Sequence, residues 1–214
     1  MHETFLRSGW SEISRLKDSM SKTKIPSGAK LSEYELGQTT VFACQADQRF
    51  SYCLYVPRAL SERGARERAA VLVAVHGSGR GNQVMRDAFM PLADALGVIV
   101  LAPLFPCGIV EPLERDNYKY IEFRGIRFDL VLLAMLAEVG GRYGVPVERV
   151  SMFGFSGGAH FAHRFLSLHP ERLDAISVCA PGSPTLLDRS RDWWVGIRDL
   201  NERFGLAPDE AALQ

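Results

Sequence analysis

The feature that most constrains the fold is the stretch from residue 150 to residue 160, which reads Val-Ser-Met-Phe-Gly-Phe-Ser-Gly-Gly-Ala-His. A short apolar run that favours β-structure ends at a serine flanked by glycines, and residues 159–168 then show helical spacing of apolar side chains. The pattern predicts a strand, a sharp turn and a helix. The flanking glycines fit such a turn, because only a residue without a Cβ atom lets neighbouring backbone pass so closely.

Length and charge exclude several classes of protein. A chain of 214 residues fits one domain with its own core. Its 25 basic and 25 acidic residues balance, so no large basic field is present to bind nucleic acid or an anionic membrane surface. No run of about 18 apolar residues predicts a membrane span, and the charged N-terminus does not resemble a secretory signal. We therefore expect a soluble, cytoplasmic protein.

The four cysteines lack the spacing of metal ligands or of a redox motif. We predict buried, reduced thiols, although a hairpin could bring Cys44 and Cys53 together and so leaves a disulfide between them open. No motif implies a metal or a cofactor. The other two cysteines are Cys107 and Cys179.

The chain divides into a short N-terminal appendage and one domain. Residues 1–30 contain a predicted amphipathic helix followed by a linker with a proline and a glycine, and residues 31–214 form the domain. Apolar residues at three- and four-residue steps indicate that helix: Trp10, Ile13, Leu16 and Met20.

Buried strands alternate with helices through the rest of the chain. This order predicts an α/β fold with a mostly parallel sheet, helices on both faces and an antiparallel hairpin at its start. We expect the hairpin at 39–46 and 50–56, a charged loop at 61–68, buried strands at 69–75, 97–102, 149–153 and 174–180, and helices at 84–96, 121–143, 157–168 and 193–204. Ligands of such sheets bind beyond the carboxyl ends of the strands.

Two loops at those ends carry most of the chemistry, namely His76-Gly77-Ser78-Gly79 and the serine turn. Together with the hairpin, an Ala-Pro strand end near Pro103 and a helix that closes in His-Pro-Glu-Arg, they resemble the α/β-hydrolase superfamily. The resemblance covers about residues 36–184. It is closest to bacterial esterases of the polyhydroxyalkanoate-depolymerase-like and feruloyl-esterase-like kinds.

This resemblance implies a serine hydrolase of small carboxylic esters that works through an acyl-enzyme. Ser156 matches the nucleophile, and the backbone N–H groups of Gly157 and Ser78 match the two oxyanion donors. The family places an acid and then a histidine after the serine, but only 58 residues follow Ser156 and no histidine follows position 169. We consider His76 and His160 poor candidates for the base, and His2, His163 and His169 poorer ones. Asp188 is expected to be a loop aspartate rather than the acid.

Compared with the family, the chain is expected to lack about two C-terminal strands. The strand at 174–180 would then be an exposed sheet edge, which predicts a homodimer, aggregation or a covering C-terminal helix. Two hypotheses stay open: a weak or inactive esterase, or a non-catalytic domain of the same fold that binds a partner or a small ligand.

Overall fold

The computed structural model describes residues 31–205, so the predicted N-terminal appendage lies outside the described residues. Eight strands occur in this range: β1 (Gly37–Ala43), β2 (Ser51–Val56), β3 (Val71–Val75), β4 (Ile99–Leu104), β5 (Glu122–Phe123), β6 (Ile126–Arg127), β7 (Val150–Phe155) and β8 (Leu173–Cys179). Six of them form one sheet in the order β1-β2-β4-β3-β7-β8, and β5 and β6 form a separate small hairpin.

The strand directions follow the predicted pattern. β2 pairs antiparallel with both β1 and β4, whereas β4, β3, β7 and β8 run parallel to one another. The predicted opening hairpin and the α/β class with a mostly parallel sheet are therefore confirmed.

Helices cover both faces of this sheet. They are α1 (Arg63–Arg66), α2 (Asn82–Ala88), α3 (Met90–Leu96), α4 (Phe128–Tyr143), α5 (Gly157–Leu168) and α6 (Leu200–Phe204). Successive residues of β3 point to opposite faces, so Val73 and Val75 join the large core that includes α4 and α5. Ala74 lies on the other face, in a smaller cluster with Ala93 of α3 and Val100.

Two predicted helices are shorter than expected, and a third is interrupted. The helix predicted at 121–143 begins only at Phe128, because Ile121 adopts a φ of 69° and Arg124 and Gly125 form a left-handed turn between β5 and β6. The helix predicted at 84–96 is two helices, since it is interrupted at Phe89 and restarts with Pro91 in its first turn. The helix predicted at 193–204 contains only Leu200–Phe204. The charged loop predicted at 61–68 contains the short helix α1.

The edge strand β8 is open on one side. Within residues 31–205 no strand pairs beyond it, and Asp174, Ala175 and Ser177 are exposed. This agrees with the predicted C-terminally shortened sheet. In the same range, no helix is long and apolar enough to cross a membrane.

All four cysteines are free thiols, so Cys44 and Cys53 do not form the disulfide that was left open. These two are buried as predicted. The prediction of burial is wrong for Cys107, which is exposed in the loop after β4, and for Cys179, which is half-buried at the end of the edge strand.

Candidate active site

Ser156 is the single residue between the end of β7 and the start of α5. Its backbone has a φ of 54° and a ψ of −114°, a conformation that costs free energy for any residue with a Cβ atom. Hydrogen bonds hold it there: its N–H donates to the carbonyl of Cys179 at 2.9 Å, and its carbonyl accepts from the N–H groups of Ala159 and His160 at 3.0 and 3.2 Å. The side chain is half-buried and lies at the carboxyl end of the sheet.

The glycines around Ser156 are required by close backbone contacts. A Cβ atom on Gly154 would overlap the carbonyl of Gly158, and one on Gly158 would overlap the carbonyl of Val75. The Gly-x-Ser-x-Gly pattern therefore reflects how tightly β7, α5 and β3 pass one another at this turn.

The loop after β3 lies directly against the serine turn. A Cβ atom on Gly77 would lie 3.6 Å from the Cβ of Ser156, and one on Gly157 would lie 3.1 Å from the backbone nitrogen of Ser78. Within the described part of the chain, neither the Ser78 nor the Gly157 N–H donates a hydrogen bond to a protein acceptor. The structure thus brings the three predicted site residues together and leaves two amide donors available beside Ser156.

The peptide group that carries the Ser78 N–H is held from its other end. Its carbonyl oxygen, that of Gly77, accepts hydrogen bonds from Nδ1 of His76 at 2.8 Å and from the backbone N–H of Arg80 at 3.1 Å. Two donors on this carbonyl fix the peptide plane and polarise the N–H on its opposite side. His76 therefore supports the Ser78 amide through the backbone.

Comparison with known proteins identifies the fold. No protein-family model matches this sequence, and no curated protein sequence does. Solved structures do match. Poly(aspartic acid) hydrolase-1 from Sphingomonas sp. KT-1 superposes with a TM-score of 0.66 at 23% identity, over 83% of this chain and 67% of that one. LpqC, a poly(3-hydroxybutyrate) depolymerase from Bordetella parapertussis, superposes with a TM-score of 0.59 at 25% identity, over 77% of this chain and 55% of that one.

An S-formylglutathione hydrolase from Agrobacterium tumefaciens matches as well, with a TM-score of 0.54 at 20% identity, over 86% of this chain and 69% of that one. The chain has the α/β-hydrolase fold. It spans about half to two thirds of the length of these three structures.

In α/β-hydrolases the acid and the histidine follow the serine along the chain. Of the histidines in residues 31–205, three are engaged elsewhere. His76 accepts the Phe105 N–H on Nε2 at 3.1 Å, and burial lowers its pKa to about 4. His163 bonds the carbonyl of Ala159 and the N–H of Thr185, and burial likewise lowers its pKa to about 4. His169 bonds the carboxylate of Asp129 at 2.8 Å.

His160 differs from the other three, since its ring makes no hydrogen bond among the described residues. It lies against the loop after β8, where a Cβ atom on Gly182 would be 3.4 Å from its Nε2. Burial, followed by the positive charges of Arg164 and Lys119, lowers its pKa. Asp188 orients no histidine: its carboxylate accepts the N–H and hydroxyl of Ser190 in a loop, as predicted.

Sequence reasoning missed the segment that forms the third wall of the site, residues 116–120. The hydroxyl of Tyr118 donates to the carbonyl of His76 at 3.1 Å, and the side chains of Tyr118 and Lys119 pack against the α-carbon of Gly157. No local pattern in the sequence indicates this contact. Among residues 31–205, no group of three or more potential metal ligands occurs.

Proposed function

We propose that this chain is a serine hydrolase of carboxylic esters that forms an acyl-enzyme on Ser156. The supporting observation is that Ser156, which has a positive φ, lies next to two amide N–H groups that donate to no protein acceptor among the described residues. They belong to Ser78 and Gly157. Structures with the same fold include hydrolases and a depolymerase, which favours this activity over the rival hypothesis of a non-catalytic binding domain.

In the proposed reaction, the hydroxyl oxygen of Ser156 bonds to the ester carbonyl carbon while the carbonyl electron pair moves onto its oxygen. The Ser78 and Gly157 N–H groups would stabilise that oxyanion, each by about 3 kcal/mol. Collapse of the intermediate expels the alcohol, and water then releases the acid from Ser156. Because no described histidine is hydrogen-bonded to Ser156, solvent water accepts the serine proton, and a proton from water converts the departing alkoxide into the alcohol. We therefore expect slow turnover, in line with the roughly 10³-fold acceleration over water that such donors and binding leave without a relay.

The test compares the wild-type chain with Ser156→Ala in two assays, hydrolysis of p-nitrophenyl acetate and labelling by a fluorophosphonate. Ser177→Ala, on exposed β8, is a matched control because it removes a hydroxyl away from the turn. We expect Ser156→Ala to abolish labelling and to reduce hydrolysis to the background rate, while Ser177→Ala behaves like the wild type. Equal rates for Ser156→Ala and the wild type would reject the nucleophile and favour a binding domain.

We also propose that the chain forms a homodimer through the open side of β8. Unpaired N–H and C=O groups on an edge strand favour pairing with a second strand, and the exposed residues of β8 leave room for one. Sedimentation velocity tests this, and a monomer at high concentration would contradict it. A cytoplasmic location is proposed because the four free thiols stay reduced there.

A further inference from the structure

Lys119 is the only lysine between residues 31 and 205 of the sequence, where every other basic residue apart from histidine is an arginine. It lies beside Gly157, the residue that follows Ser156. Its Cε atom is 2.9 Å from the point that a Cβ atom on Gly157 would occupy, and its ammonium group forms an ion pair with Asp116. The Lys119 side chain is 16% exposed, whereas that of Asp116 is 49% exposed, so the carboxylate lies nearer the solvent than the lysine does.

Three hydrogen bonds to other segments hold the backbone around Lys119. Residues 117–120 form a single 3-10 turn. The Asn117 amide donates to the carbonyl of Pro106 at 3.2 Å, and Nε1 of Trp193 donates to the carbonyl of Tyr120 at 2.8 Å. The Arg164 guanidinium donates to the carbonyl of Lys119 itself. Such anchoring presents the lysine side chain to Gly157 in a defined position, which is how preorganised electrostatic groups act.

Positively charged side chains outnumber carboxylates near Lys119. Arg164 is fully buried, and its hydrogen bonds go to neutral oxygens, those of Lys119, Ser183 and Thr185, so no carboxylate within residues 31–205 neutralises it. Two carboxylates of the same loop stand against these two cations, Asp116 and Glu114, and the Glu114 carboxylate accepts the backbone N–H of Asp116. Arg80, whose guanidinium lies over the Tyr118 ring, adds a third positive charge. An anion that forms between the Ser78 and Gly157 amides would therefore meet a positive field from the Lys119 side.

We propose that Lys119 is a further functional residue of the site, and that its ammonium group stabilises the negative charge that develops on the substrate oxygen beside Gly157. This role rests on the proposed esterase function. Lys119 keeps its proton throughout: the electron pair that moves onto the carbonyl oxygen is met by the ammonium charge, and no bond to the lysine forms or breaks. A compact ammonium fits the narrow space beside Gly157 better than the broad guanidinium of arginine.

The test measures kcat and KM for p-nitrophenyl acetate, together with the rate of fluorophosphonate labelling, in four variants. Lys119→Met removes the charge but keeps the backbone carbonyl that Arg164 needs, and Lys119→Arg restores a charge. Asp116→Asn removes the counter-ion. Arg149→Met is the matched control, because it also removes one positive charge. Arg149 directly precedes the first residue of β7, at the end of the strand opposite to Ser156, and forms an exposed ion pair with Asp174.

We expect Lys119→Met to lower kcat and the labelling rate about tenfold with KM changed by less than about twofold, since the charge acts on the transition state. Lys119→Arg should recover part of the loss. Asp116→Asn should raise kcat above the wild-type value, because it removes the carboxylate that offsets the ammonium charge, and Arg149→Met should match the wild type. Thermal unfolding of each variant checks that it is folded. Should Lys119→Met not fold, Asp116→Asn still decides the matter, because a folded Asp116→Asn variant that is slower than the wild type would reject the role.

Three results would overturn the role of Lys119. One is an unchanged kcat in Lys119→Met. Another is an equal loss in Lys119→Met and Asp116→Asn, which would mean that the ion pair is only structural. The third is an equal loss in Lys119→Met and Arg149→Met. Activity that survives Ser156→Ala unchanged would instead reject the proposed function, whatever the Lys119 variants do.

Discussion

The backbone nitrogen of Ser78 lies 3.1 Å from the point that a Cβ atom on Gly157 would occupy. The two residues are far apart in sequence and follow neighbouring parallel strands, β3 and β7. Parallel pairing brings the carboxyl ends of both strands to one edge of the sheet, so two amide groups from separate loops meet beside Ser156.

If the Ser78 amide is an oxyanion donor, the rate of ester hydrolysis should depend on the Ser78 N–H and not on the Ser78 hydroxyl. Ser78→Ala keeps the N–H and should retain the wild-type rate of ester hydrolysis. Ser78→Pro removes the N–H and should lower kcat about 100-fold, the usual cost of one lost oxyanion donor. Stopped-flow assays with p-nitrophenyl acetate on both variants, with circular dichroism to confirm folding, provide the measurement. Equal rates in folded Ser78→Pro and Ser78→Ala would contradict the assignment.

Gly157→Ala should close the site sterically. The new methyl group would overlap the hydroxyl of Tyr118 and lie 2.9 Å from Cε of Lys119, so it would occupy space beside Ser78 and force both side chains to shift. We expect a loss of at least about tenfold in the labelling rate by a fluorophosphonate. Gly141→Ala, in α4, is the control: its methyl group would meet nothing within 4 Å, and alanine stabilises a helix by about 1 kcal/mol relative to glycine. A Gly157→Ala variant that labels as fast as Gly141→Ala would show that the space beside Gly157 is not needed.

The sequence predicts the strands of this fold well because their apolar runs are local. It also predicts the serine turn, since the glycines that permit the turn adjoin Ser156. It does not predict features that distant contacts determine: the helix expected from residue 121 starts at Phe128, after the small hairpin of β5 and β6. The position of Lys119 depends on Arg164 and Trp193, which come much later in the chain, so no local pattern could reveal it.

Protonation of His76 should link stability to mild acid. Burial, assisted by the charge of Arg80, lowers its pKa from 6.5 to about 4. The unprotonated Nε2 of this neutral ring accepts the Phe105 N–H. As the pH falls, His76 therefore takes up a proton near pH 6.5 in the unfolded chain but only near pH 4 in the folded chain. The free energy of unfolding should be at its full value above pH 6.5 and fall by about 2 kcal/mol between pH 7 and pH 5 through this group alone.

Urea unfolding of the wild type and His76→Gln at pH 7 and pH 5 measures this effect. Glutamine offers an NH2 donor group and a carbonyl acceptor but does not titrate, so His76→Gln should lose less stability between the two pH values than the wild type does. His163 contributes a similar slope in both proteins, since burial lowers its pKa to about 4 as well, and its share cancels in the comparison. An identical pH dependence in both proteins would show that His76 does not titrate as proposed.

Asp129 carries a fully buried negative charge, and its neutralisation should destabilise the fold. The carboxylate is fully buried at the start of α4 and is bonded by Arg127 at 2.6 and 2.9 Å and by His169 at 2.8 Å. Burial opposes its ionisation, but the hydrogen bonds from Arg127 and His169 outweigh burial and lower its pKa. Its contribution is therefore present above the ordinary aspartate pKa and is lost as the pH falls through the lowered one.

Asp129→Asn at pH 7 should reduce the free energy of unfolding by about 3 kcal/mol, because it leaves the half-buried Arg127 guanidinium without its partner and weakens the tie from α4 to the end of α5. Asp174→Asn is the matched control, since its ion pair with Arg149 is more than half exposed and such pairs contribute less than about 1 kcal/mol. Urea unfolding of both variants separates the two cases. Similar losses in both would mean that the buried cluster stabilises the fold no more than a surface pair does.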